Sequence, residues 1–144
     1  MRSRINRLIL VDTGMGNKQT DKFFNYYYRW GEQGIEQALA KHGFHKDDIT
    51  DVFFTHLHFD HCGGGVEWNT NKTGYQLAFK NATYWNNKEH WSWAKTPNKR
   101  DTQLHAGKLS IFVLSSHLDT IGDQNDVQQS SISCLYLNIW YYTY

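Results

Sequence analysis

The 144-residue sequence holds one proline, two cysteines and no apolar run near the ~20 residues that cross a membrane as a helix. Each scarcity excludes something. Two thiols far apart in sequence, Cys62 and Cys134, make no disulfide framework, so a reducing cytoplasm is the expected setting. The basic start Met1-Arg2-Ser3-Arg4 leads into only four consecutive apolar residues, Leu8 to Val11, too few for a secretory leader. Neither sign of charge dominates: the net charge is +1, so nucleic acid and anionic membrane are not expected partners. No internal repeat or low-complexity linker appears, and the length suits a single domain.

What is present falls into segments. Arg7 to Asp12 reads as a strand, and 13–19 as a glycine-bearing loop. Phe23-Phe24-Asn25-Tyr26-Tyr27-Tyr28-Arg29-Trp30 is an aromatic patch, read first as core cover or a subunit contact, hence a homodimer as a candidate partner, and second as a substrate lid. Ile35, Ala38, Leu39 and His42 recur with helical spacing, and Gly43 sits where a helix stops. Asp47 and Asp48 start a turn into a β-branched and aromatic strand, 51–55. Residues 66–75 read as a polar loop and 80–85 as another strand. A helix over Lys88 to Ala94 is capped by Asn86 or Asn87 and precedes Pro97, with His90 on its surface.

The chemistry concentrates in Thr55-His56-Leu57-His58-Phe59-Asp60-His61. Neutral imidazole nitrogen and carboxylate oxygen are ordinary ligands of divalent transition metals, which give a reason to crowd them; the alternative is a His-rich surface loop, or chance in a chain with eight histidines. At the end of a strand, His56 and His58 project to one side and can grip one ion. Asp60 and His61 are adjacent, so the chain must turn for both to face a second ion, and Cys62-Gly63-Gly64-Gly65 follows with the required backbone freedom.

A His-x-His-x-Asp-His run behind a hydrophobic strand, with a glycine turn after it, resembles the metallo-β-lactamase-fold hydrolases. Arg7-Leu8-Ile9-Leu10-Val11-Asp12-Thr13-Gly14 resembles the same family's upstream strand and Asp-Thr-Gly turn, so the likeness covers about residues 7–95. It implies an α/β architecture, half of an αββα sandwich with a mixed sheet and flanking helices. On this reading 1–98 is the family-like half, and 99–144 is a C-terminal segment of uncertain fold. The resemblance implies one or two ions, zinc first, with iron or manganese as alternatives. His56 and His58 would hold the first and Asp60 and His61 the second, while Asp12 stands behind the ligands and orients a histidine. It also implies a metal-activated hydroxide that attacks an ester, lactone, thioester or amide of a small molecule, with Asp60 holding the water and returning a proton.

The family supplies three further ligands after the motif. Here the tail offers His105, His117 and Gly122-Asp123. His117 follows a strand-like run, 109–114, and is the candidate third histidine, although Ser115-Ser116-His117-Leu118-Asp119 differs from the family's Gly-His-Thr-x-Gly context. Asp123 lies close behind for a bridging role, and no histidine follows His117. A truncated or frameshifted member is therefore the expectation, ahead of a diverged compact one. Three functional readings follow: a metal-dependent hydrolase, a metal-binding fragment without activity, and a di-iron redox protein of the same fold.

Overall fold

The computed structural model describes residues 7–27, 34–96, 118–121 and 133–135. In chain order the elements are β1 (Leu8–Val11), α1 (Asp21–Tyr26), α2 (Ile35–Lys41), β2 (Asp51–Phe53), α3 (Phe59–Cys62), β3 (Val66–Trp68), β4 (Tyr75–Leu77), β5 (Thr83–Asn87), α4 (Lys88–Lys95), β6 (Leu118–Ile121) and β7 (Ser133–Leu135). Five strands form one sheet in the order β6-β5-β2-β1-β7, and every pair in it is parallel. β3 and β4 make a separate antiparallel hairpin. The fold is thus mixed α/β, as expected. Two strands from beyond residue 98 pair with this sheet, one at each described edge. His105, His117 and Asp123 lie outside the described residues. Among the described residues no helix is long and apolar enough to cross a membrane.

Alternation in β1 sends Leu8 and Leu10 into the core while Ile9 and Val11 are half-buried. Val52 and Phe54 continue that core across the sheet, and Leu39 closes it from α2. α2 ends as its sequence foretells. Gly43 takes a left-handed φ of 77°. Its N–H reaches the Ala40 carbonyl at 2.9 Å and the Phe44 N–H reaches that of Leu39 at 3.0 Å, a Schellman closure. The Asn87 side chain caps α4 by accepting from the Glu89 N–H at 2.7 Å.

Three readings need correction. The polar loop at 66–75 contains β3 and the first residue of β4, joined as a hairpin on which Trp68 and Tyr75 pack at 4.3 Å between ring centroids. The strand expected at 80–85 runs from 83 to 87. His90 is half-buried, lies against Trp93 at 5.4 Å, and its Nδ1 is sequestered with no hydrogen-bond partner among the described residues.

Asp51 anchors the strand pairing beneath the site. Its carboxylate, 3% exposed, accepts from the Arg7 guanidinium, from Thr50 Oγ1 at 2.6 Å and from Trp85 Nε1 at 2.8 Å. Burial alone would raise its pKa, but the hydrogen bonds from Arg7, Thr50 and Trp85 outweigh it and hold the group below its usual value. A carboxylate with a depressed folded pKa contributes stability above its unfolded value of about 3.9, and that contribution disappears as pH falls through the folded value. Thermal midpoints measured from pH 6 downward should therefore fall in the acid range. Asp51→Asn should start lower and show a flatter acid limb; an unchanged limb would remove Asp51 as its source.

Candidate metal centre

The site forms where β1 and β2 end side by side. Asp12 follows β1 in the left-handed region at φ 56°, its N–H held by the Phe53 carbonyl at 2.9 Å. There its carboxylate receives three donors. Oδ1 accepts from the Thr55 N–H at 2.9 Å; Oδ2 accepts from Thr55 Oγ1 at 2.8 Å and lies 2.8 Å from His61 Nδ1. The Thr55 N–H thus goes to a side chain instead of a strand neighbour, and β2 ends at Phe53. His56 and His58 therefore converge from a bend beyond the strand, where a strand end had been expected.

The second half of the motif is a helical turn. The His58 carbonyl accepts from the His61 and Cys62 N–H groups at 3.0 and 2.9 Å, which opens α3. The glycine turn then presses against the loop after β1. Thr13 donates its N–H to the His61 carbonyl at 2.7 Å and its hydroxyl to the same oxygen at 3.1 Å. Gly64 N–H reaches the Gly14 carbonyl at 2.8 Å. Lys18, buried, donates to the Gly63 carbonyl, and its burial lowers its pKa to about 8. Behind the turn, the buried Tyr84 hydroxyl donates to the Gly65 carbonyl at 3.0 Å.

One ligand atom each from His56, His58 and Asp60 lie within 4.8 Å of one another. The rings of His56 and His58 sit 4.7 Å apart, and those of His56 and His61 3.9 Å apart. His61 Nε2 lies 3.5 Å from Asp60 Oδ2. Asp60 thus adjoins both the His56–His58 pair and His61. Ligands about 2.1 Å from one ion sit roughly 3.4 Å apart in a tetrahedral site, so the three atoms would have to draw closer to hold zinc. Burial, and then the nearby His61 and His58 rings, lower the pKa of His56 and favour the neutral form that metals bind. Cys62 is buried, and burial pushes its thiol up to about 12.

Two features escaped the sequence reading. Thr55 bonds Asp12 and also lies 3.1 Å from His56 Nδ1; the only signal was a hydroxyl directly before a candidate ligand. The aromatic patch is also more open than a core cover. α1 buries none of its residues, and Tyr26 is 77% exposed. Phe23 and Tyr27 pack on Phe59, inside the motif, at 5.2 and 4.8 Å between centroids. Beside them lies an open cavity of about 950 Å³ lined by Thr20, Lys22, Phe23, Asn25, Tyr26 and Tyr27.

Fold and site together define an α/β protein with a candidate metal centre at the carboxyl ends of parallel strands. The chain belongs to the metallo-beta-lactamase superfamily, whose family model matches residues 4–123, past the limit near 95 expected from the motifs. It is 34% identical over 91 residues to N-acyl homoserine lactonases of Bacillus thuringiensis, among them AiiA of subspecies kurstaki, an overlap of 53% of this chain and 36% of those proteins. Among solved structures it resembles a probable metal-dependent hydrolase from Staphylococcus aureus (26% identity, TM-score 0.64, 78% of this chain and 39% of that one). It also resembles AidC, a dizinc quorum-quenching lactonase solved with the product N-hexanoyl-L-homoserine (26% identity, TM-score 0.62, 88% and 42%). The chain therefore spans about two fifths of the length of the relatives it matches.

Proposed function

We propose that this protein is a metal-dependent hydrolase of a small ester-like substrate, with a lactone as the first candidate. The carrying observation is the convergence of His56, His58 and Asp60 beside His61, on a frame tied together by Asp12. Likeness to lactonases, one of them a dizinc enzyme, supports both the bond type and the ion. His56 and His58 would hold one zinc, and Asp60 and His61 a second. When bound, zinc lowers the pKa of a water toward neutrality and polarises a carbonyl. Asp60 is exposed, so its carboxylate can hold the attacking water by one oxygen. As the water oxygen bonds the acyl carbon and the ring C–O bond breaks, Asp60 passes the water proton to the leaving alkoxide. An apolar acyl group would find the aromatic cavity beside Phe59. His117 is proposed as a further ligand on family likeness alone.

A second reading, metal binding without turnover, draws on one observation. All candidate ligands among the described residues come from a single stretch, 56–61, whereas the match covers only 36% of the curated relatives and 42% of the dizinc lactonase. Elemental analysis of the purified chain, paired with hydrolysis of an acyl homoserine lactone, a nitrophenyl ester and a thioester, separates the two. Near-stoichiometric zinc, with lactone opening that a chelator abolishes and zinc restores, is the expected result. Zinc without turnover would establish the second reading. Iron with visible absorbance would indicate a redox protein, and a metal-free chain that takes up no added zinc would end all three.

A further inference from the structure

We propose that Thr55 is a positioning residue: through its hydroxyl, the Asp12 carboxylate sets the tautomer of His56 as well as that of His61. The proposal rests on the metal-site reading above and concerns how the ligands are prepared. It follows from counting hydrogens. As a carboxylate, Asp12 can only accept. Its Oδ2 lies 2.8 Å from His61 Nδ1, so that nitrogen carries the proton and Nε2 is left bare. The same Oδ2 lies 2.8 Å from Thr55 Oγ1.

The threonine hydroxyl has a single hydrogen and two partners. Sending it to His56 Nδ1 would leave two oxygen acceptors facing each other at 2.8 Å with nothing between them. Sent to Asp12, it makes a charge-assisted bond, and its lone pairs then face His56 Nδ1 at 3.1 Å. That contact is a hydrogen bond only if His56 Nδ1 carries the proton. The chain of donors therefore runs from His56 through Thr55 to Asp12, and His61 joins it from the other side. Both rings present a bare Nε2, the form in which imidazole donates its lone pair to a metal. The Thr55 N–H, held by Oδ1 at 2.9 Å, fixes the hydroxyl's backbone in register with the carboxylate.

The test reads the ring nitrogens directly. The full chain, ¹⁵N-labelled at histidine and stripped of metal, is examined by long-range ¹H–¹⁵N correlation at about pH 8.5, where imidazoles are neutral. Wild type should show a protonated Nδ1 and a bare Nε2 on both His56 and His61. Thr55→Val should lose this pattern at His56 alone, and Thr55→Ser should keep it. Zinc affinity should fall about 10- to 100-fold in Thr55→Val and stay at the wild-type value in Thr55→Ser. A wild-type His56 protonated on Nε2, or a Thr55→Val chain that keeps the wild-type pattern, overturns the proposal. Unchanged zinc affinity in Thr55→Val overturns the role toward the ion. Should the wild-type chain bind no zinc, the hydrolase reading fails, and the nitrogen spectra still decide whether Thr55 sets the His56 proton.

Discussion

Gly64→Ala is expected to destabilise the protein by roughly 3 kcal/mol, lowering its thermal midpoint by about 10 °C. An added Cβ at this position would sit 2.3 Å from the Thr13 carbonyl oxygen and 3.2 Å from its carbon. The obstacle is backbone, so it cannot swing aside as a long side chain could. It is also backbone under other obligations: Thr13 donates to His61, and Gly64 donates to Gly14. Relief of the clash must break one of these bonds or separate the two loops that shape the site. Gly43→Ala is the matched control. Its φ of 77° carries the left-handed penalty of about 1 kcal/mol, but its new methyl would meet nothing within 4 Å. Scanning calorimetry on the two variants decides the matter. Equal midpoints would mean that the glycine turn yields freely and that the close approach of 13–16 to Gly63 and Gly64 is unimportant.

The second large effect is on the ion. His58→Ala should lose bound zinc and with it more activity than the roughly 100-fold that removal of an outer hydrogen-bond partner brings. His58 supplies one of the three converging ligand atoms, while its backbone carbonyl opens α3 and survives the substitution. The variant should therefore fold normally and differ in metal content and turnover. His42→Ala, at the exposed end of α2, should leave both untouched. If His58→Ala retains zinc and activity, the proposed site is in the wrong place.

Legibility in the sequence tracked the range of the forces involved. Local devices were readable. β1 showed its alternation, Gly43 its left-handed stop and Asn87 its cap, because each acts within a few residues. The crowding of His56, His58, Asp60 and His61 was readable for the same reason. How those groups come together was not. Strand alternation explained the His56–His58 pair plausibly, yet the strand ends earlier because Asp12, 43 residues away, takes the Thr55 N–H. The hairpin was obscured by the polar stretch between its strands, where Asn69 accepts from Thr73 and Gly74 and looks like ordinary loop. The aromatic patch declared its composition but not its exposure, since nothing local says which rings a later segment such as Phe59 will meet.

The bonds from Thr13 to His61, separated by 48 residues, have a further consequence. An unfolded chain owns the ligands but not their arrangement, which arises only once β1 and β2 lie side by side. On the proposed metal-site reading, ion uptake and cooperative folding would be thermodynamically linked, and free zinc at 100 times its dissociation constant would add about 2.7 kcal/mol to the folded state. On the same reading, capture of the ion during refolding would wait for this long-range pairing, which brings loop-closure entropy with it.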